Sequence, residues 1–342
     1  MYELSAAAVA AQSSPSAILA WGLEVIRAFQ AWGNPAITDI AKLITKIGGP
    51  LPYLAIVAAI FWCVDEKRGF KLGVAVFLSN GINVSIKNTL QVPRPFTVDP
   101  AVQLTPIHDP WSTPSGHSQN TAAFWPTLLL GWKKGARAYA PRLALAIAIP
   151  LLVGLSRVYL GVHYPTDVAF GWALGALVSF SLVFLAPMLK SHYESSGGAI
   201  AKLRDYFARA RTASGRSLKS PKLALAAVTA LILNATSHGD SSMGGALFGF
   251  AAGYIVLTDR DEGGAPRFSA ASGSIAQKAI RFALGLAGFF LLYIALKRFL
   301  PGAHSTHYEL CRFLRYGILG FWLSALAPMA FLKLKLAGGG KR

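Results

Sequence analysis

Long apolar stretches broken by short basic runs constrain this chain more than any other feature. A helix that crosses the hydrocarbon core of a bilayer needs about 20 mostly apolar residues. Stretches near that length are Leu51–Val64, Phe70–Leu90, Ser118–Trp132, Leu143–Leu160, Asp167–Leu189, Leu223–Leu233, Met243–Leu257, Phe282–Leu296 and Tyr316–Leu332, so nine spans are expected, with soft edges where a stretch is short. Hydrophobic residues make up 54% of the 342 and charged residues only 14%, against roughly 25% charged in a soluble domain. That balance excludes a cytosolic enzyme and a disordered chain. The expected fold class is an all-α, polytopic membrane helix bundle.

The net charge is +18. A balance this basic can mark a nucleic-acid binder. Here the cations sit in runs between apolar stretches, which is the signature of membrane topology, so no nucleic-acid partner is expected. Lys67, Arg68 and Lys71 follow the first span, and Lys133, Lys134, Arg137 and Arg142 follow the third. The segment after the fifth is rich in Lys and Arg, and Lys333, Lys335, Lys341 and Arg342 end the chain. With alternating spans all four fall on one side, expected to be the cytoplasm. The loops Gln91–Gly116 and Ser156–Thr166 then face away from it. Lys297, Arg298, Arg312 and Arg315 resist this scheme, because they border the last outer loop.

Four regions are expected. Residues 1–49 hold two amphipathic, interfacial helices, Ile18–Trp32 and Pro35–Ile47. Residues 50–189 form a membrane core, 190–222 a basic cytoplasmic linker, and 223–342 further transmembrane helices without an assigned role. Glycines four apart, at Gly171 and Gly175 and at Gly245, Gly249 and Gly253, permit close helix contact and read as packing. Cys63 and Cys311 read as reduced packing residues. Asn83-Val-Ser and Asn234-Ala-Thr are weak glycosylation signals.

Chemistry-bearing residues gather at the outer ends of the second to fifth spans. Lys87 ends the second span and Arg94-Pro95 follows; Pro114-Ser115-Gly116-His117 opens the third. Ser156-Arg157 ends the fourth, and His163 and Asp167 bracket the start of the fifth. Taken alone, either histidine is an ordinary packing residue and Lys87 a snorkelling one. Together, three cations, two histidines and a carboxylate at one membrane face are a functional site. Lys87, Arg94 and Arg157 suit a phosphate guest, since arginine offers bidentate donors to phosphoryl oxygens. Ser115 and Gly116 lie where a helix begins, and its free N–H groups favour an anion. Asp167, four residues after His163, is placed to hold one imidazole nitrogen and leave the other to attack phosphorus.

These residues resemble the type-2 phosphatidic acid phosphatase superfamily, histidine-dependent lipid phosphatases related to vanadium haloperoxidases. Lys87, six residues, then Arg94-Pro95 match its first motif, and Pro114-Ser115-Gly116-His117 its second. Ser156-Arg157, five residues, His163, three more and Asp167 match its third. The resemblance covers about residues 50–185 and says nothing firm of the spans after Lys222. It implies a haloperoxidase-like helical core with additional C-terminal transmembrane helices. His163 would be the nucleophile, Asp167 its orienting partner, and His117 the acid that protonates the leaving group and then activates water. Lys87, Arg94, Ser115, Gly116 and Arg157 would hold the phosphate.

The expected activity is a metal-independent hydrolysis of a lipid phosphate or pyrophosphate at the outer face of the cell membrane. Candidate substrates are polyprenyl pyrophosphate, phosphatidic acid, phosphatidylglycerol phosphate, sphingoid-base phosphate and lipid A phosphate. No cofactor or metal is called for. The expected partners are the lipid phosphate substrate and membrane lipids, with a homo-oligomer left open. Two alternatives remain at this point: a phosphotransferase that passes the same phosphohistidine to another hydroxyl, and a transporter or scaffold that keeps the site for binding. His108 is expected in a solvated loop and Trp111 at the interface. His238, Asp240, His304 and His307 are expected in outer loops without a catalytic role.

Overall fold

A computed structural model describes residues 16–107, 109–132, 138–195, 220–258, 268–302 and 305–338. His108, His304, the basic residues Lys133, Lys134 and Arg137, and most of the 190–222 linker lie outside the described residues. Every long element is a helix. In order they are α1 (Ala17–Ala31), α2 (Pro35–Lys46), α3 (Pro50–Cys63), α4 (Glu66–Leu90), the single turn α5 (Pro95–Val98), α6 (Gly116–Leu130), α7 (Tyr139–Tyr159), α8 (Pro165–Phe180) and α9 (Ala186–Ser195). They continue as α10 (Ser220–Thr236), α11 (Ser242–Thr258), α12 (Ile275–Phe299), α13 (Tyr308–Phe321) and α14 (Ala327–Lys333). Single π-helical turns join α8 to α9 and α13 to α14.

Local chemistry explains several of the starts. Asn34 accepts from the Ile37 N–H at 2.9 Å with Pro35 behind it, which begins α2. Ser115 caps α6, and Ser274 with Gln277 forms a capping box on α12. Between α10 and α11 the chain turns through His238 and Gly239, both at positive φ.

Among the described residues, five helical stretches are long and apolar enough to cross a membrane, or six if α2 and α3, bent by 43°, form one span. This is fewer than the nine expected, and the reason is length. The apolar run behind α6 holds only 15 helical residues, and α10 and α11 hold 17 each. At 1.5 Å per residue those helices reach only about 22–26 Å, short of a hydrocarbon core of about 30 Å. Hydropathy counts apolar residues but is blind to where a helix stops.

The described chain falls into two compact units. The first holds residues up to Ile56, Ala75–Ser179 and Leu233–Asp240. In it, Leu23 and Ile26 of α1 pack with Val102, Val158, Tyr164 and Val168, while Ala41 of α2 joins Tyr159, Leu160 and Val162. Gly171 and Gly175 bring α8 against α6: a Cβ on Gly175 would lie 2.1 Å from the Gln119 carbonyl oxygen. The outer faces of α1 and α2 expose Trp21, Trp32, Ile40 and Leu43, as a lipid-facing surface requires.

The second unit holds Val57–Val74, Phe180–Ile232 and Ser241 onward. Its centre is the pair α11 and α13, where a Cβ on Gly249 would come within 1.8 Å of the Gly317 carbonyl oxygen. Phe70 stacks on Tyr254 at 4.0 Å between ring centroids. Arg281 is fully buried and donates to the carbonyls of Trp62 at 2.9 Å, Ala270 at 3.4 Å and Ser272.

Candidate active site

The first unit gathers the motif residues at helix ends. Lys87 lies in the last turn of α4, Arg94 precedes α5, Ser115 to His117 open α6, Arg157 lies in the last turn of α7, and Asp167 lies in the first turn of α8. His163 sits in the tight loop between α7 and α8. Lys87, Arg94, Arg157, His163 and Asp167 are all buried, His163 and Asp167 with 1% of their surface exposed. Buried charges persist only when paired or poised for a ligand.

Arg94 links the parts. Its Nη1 donates to the Val162 carbonyl at 2.7 Å and lies 3.1 Å from His163 Nε2. A guanidinium only donates, so His163 Nε2 is the acceptor and the imidazole proton sits on Nδ1. That nitrogen faces Asp167 Oδ2 at 3.5 Å and Ser112 Oγ at 3.4 Å. Both separations are too long for a strong hydrogen bond. Asp167 is itself held by four donors: the hydroxyls of Ser112 and Thr113, the Tyr164 N–H at 2.8 Å, and, at its main-chain oxygen, the Ser115 N–H at 3.0 Å. Burial, followed by the charges of Arg94, Arg157, Lys87 and His117, pushes the His163 pKa well below the ordinary imidazole value.

Arg157 donates from Nη1 to Thr45 Oγ1 of α2 at 2.8 Å, and its buried Nε has no hydrogen-bond partner. His117 lies against Gly48, two residues after α2; a Cβ there would meet its ring at 2.9 Å. Of the two N–H groups singled out at the start of α6, that of Ser115 is committed to Asp167, while Gly116 stands at the first helical position. The Ser115 hydroxyl accepts from Ser118 Oγ at 2.9 Å.

Five contacts were not readable from the motifs. Asp109 Oδ2 bridges Lys87 Nζ and, at 3.0 Å, Arg94 Nη2. Ser112, Thr113, Thr45 and Gly48 complete the surroundings. The one signal for Asp109 is an acid in the loop between the first and second motifs. His238 lies apart from the set, 3.1 Å from Thr89 Oγ1, and His307 precedes α13. Among the described residues, no group of three or more His, Cys, Asp or Glu is placed to hold a metal ion.

The PAP2 superfamily model matches residues 68–190. An undecaprenyl-diphosphatase of Sulfolobus acidocaldarius is 37% identical over 149 residues, covering 42% of this chain and 68% of that protein. The chain belongs to the PAP2 superfamily. Phosphatidylglycerophosphatase B of Bacillus subtilis is 32% identical over 165 residues, covering 44% of this chain and 74% of that one. A crystal structure of a PAP2-type phosphatidylglycerolphosphate phosphatase from Bacillus subtilis aligns at 26% identity and a TM-score of 0.46, covering 54% of this chain and 94% of that one. A second model, the transmembrane extension of PAP2 superfamily phosphatases, matches residues 241–339. The helices from α11 onward, without a role in the motif reading, match this extension. The protein is a multi-pass membrane phosphatase of the PAP2 superfamily.

Proposed function

We propose that this PAP2 phosphatase hydrolyses the phosphate monoester or diphosphate of a long-chain lipid through a phosphohistidine on His163. One observation carries the reading: Arg94 Nη1 faces His163 Nε2 at 3.1 Å, which leaves Nε2 unprotonated among cations suited to phosphoryl oxygens. The Nε2 lone pair attacks phosphorus, and the bond to the lipid oxygen breaks as His117 protonates it. His117 then takes a proton from water, whose oxygen attacks phosphorus. The P–N bond breaks, releasing orthophosphate and neutral His163. Asp167, with Ser112, holds the Nδ1 proton and stabilises the positive charge on the ring. Lys87, Arg94, Arg157, Ser115 and the Gly116 amide hold the phosphoryl oxygens, so the charge stabilisation needs no metal.

The relatives named for undecaprenyl diphosphate and for phosphatidylglycerophosphate support a lipid substrate of this class. The Lys/Arg bias of the other loops supports a site facing away from the cytoplasm. Purified protein in detergent with excess EDTA should release phosphate from a panel of lipid phosphates and diphosphates. Release that depends on added Mg²⁺ or Zn²⁺, or none from any of the panel, contradicts the reading. A lone cysteine at Thr105, with Cys63 and Cys311 replaced by Ser, should react with an impermeant maleimide in intact cells. Labelling only after lysis would place the site at the cytoplasmic leaflet.

A further inference from the structure

Two of the three cations of the site already hold an anion, and it belongs to the protein. Asp109 Oδ2 takes Lys87 Nζ and Arg94 Nη2, the latter at 3.0 Å. Its Oδ1 accepts from the Trp111 N–H at 3.1 Å, and its main-chain oxygen accepts from Arg94 Nε. The Asp109 side chain is 45% exposed, whereas those of Lys87 and Arg94 are 10% and 2% exposed. The carboxylate therefore stands on the solvent side of the cations and has room to leave them. Burial raises its pKa, but Lys87 and Arg94 outweigh burial and hold it below the usual carboxylate value, so it is ionised at neutral pH.

A phosphoryl group and this carboxylate cannot share the same donors, since like charges about 3 Å apart repel strongly. A cradle of Lys87, Arg94 and Arg157 with no acid beside it would also hold orthophosphate, the product, more tightly than turnover tolerates. We propose that Asp109 is a built-in competitor for phosphate: the phosphoryl group of the substrate displaces it, and its return to Lys87 and Arg94 expels orthophosphate. This rests on the reading that Lys87 and Arg94 bind the phosphoryl group. It makes Asp109 a positioning and release residue, outside the bond-making steps.

Asp109→Asn keeps an acceptor for the Trp111 N–H and removes the charge; Asp109→Ser does the same with a shorter side chain, and Asp109→Glu keeps the charge. Competitive inhibition by orthophosphate and by vanadate is read against a nitrophenyl phosphate or a lipid phosphate, on protein shown to be folded by its melting transition in detergent. In Asp109→Asn, or in Asp109→Ser if Asn does not fold, the Ki for orthophosphate should fall about tenfold, with KM and kcat falling together as release slows. Asp109→Glu should stay within about threefold of wild type, because the charge is retained. An unchanged or higher Ki in the uncharged variants overturns the proposal and leaves Asp109 a loop-fixing residue. If the wild type is not inhibited competitively by either anion, or if Arg94→Ala is inhibited at the wild-type Ki, the underlying reading of the cradle fails instead.

Discussion

Among the described residues each unit buries two arginines, and Arg94 and Arg281 are held differently. Arg281 in the C-terminal unit is fully buried and gives its terminal nitrogens to the carbonyls of Trp62, Ala270 and Ser272. Those partners are fixed main chain, so Arg281 is a tie between segments. Arg315, 8% exposed on α13, shares that unit. Arg94 in the first unit also reaches two main-chain carbonyls, of Val162 and Asp109, but it is shared with an ionised carboxylate and an imidazole nitrogen. Arg157 holds one side-chain hydroxyl, that of Thr45; a buried Nε without a partner is common to Arg157, Arg281 and Arg315 and does not separate the units. An arginine bound to main chain stabilises a fold. One that shares a displaceable carboxylate is poised to receive an anion.

The comparison breaks most readily at His163, the proposed nucleophile. His163→Ala should reduce phosphate release to background, and Asp167→Asn should lower kcat at least about a hundredfold, measured on lipid phosphate in detergent. Residual turnover in His163→Ala near wild-type levels would move the chemistry elsewhere.

The arginines themselves come next. Arg94→Lys should lower kcat/KM by about 10–100-fold, because an ammonium cannot reproduce the planar fork to a phosphoryl group and His163 together. Arg281→Met should instead leave kcat per folded molecule within about twofold and lower stability by about 3 kcal/mol, as buried carbonyls lose their donors. A melting transition and a titration of active enzyme separate the two effects. Reversed behaviour would dissolve the distinction between the two arginines.

Thr45 sharpens it. It lies on α2, ahead of the matched PAP2 segment, yet it holds Arg157 at 2.8 Å. Thr45→Val should raise KM or lower kcat by a combined factor of about ten, and Thr45→Ser should restore most of it, since the lost contact is one charge-assisted hydrogen bond. If Val is silent, Arg157 is held by its packing alone.

The smallest effect concerns pH. Burial and the neighbouring cations push the His163 pKa down, so the neutral, nucleophilic ring persists to lower pH than a free imidazole allows. The acidic limb of kcat/KM that belongs to this group should therefore lie below pH 6.5. A limb above that value would assign it to another group.

The motifs made the helix ends legible and singled out eight candidate residues that the fold places at those ends and in the loops beside them, because their spacing in an apolar chain is written locally. Asp109, Ser112, Thr113, Thr45 and Gly48 were not singled out, because each reaches the site only through tertiary packing. Thr45 is 112 positions from Arg157, and Ser112 is 55 from Asp167. An ordinary Ser or Thr carries no mark that it will meet a buried charge. The number of spans was overread for a related reason: the turn at His238 and Gly239 and the short α6 depend on where helices end, which apolar content does not record.

The measurement that bears most directly on the central claim is trapping of the phosphoryl group on the enzyme. The enzyme is mixed with a nitrophenyl phosphate or a lipid phosphate labelled on phosphorus and quenched in base within one turnover. The expected result is an acid-labile, base-stable phosphate on the peptide that contains His163, with more of it in His117→Ala, where water is not activated. Label that is acid-stable or on another residue, or none in both enzymes while phosphate is still released, would contradict the account.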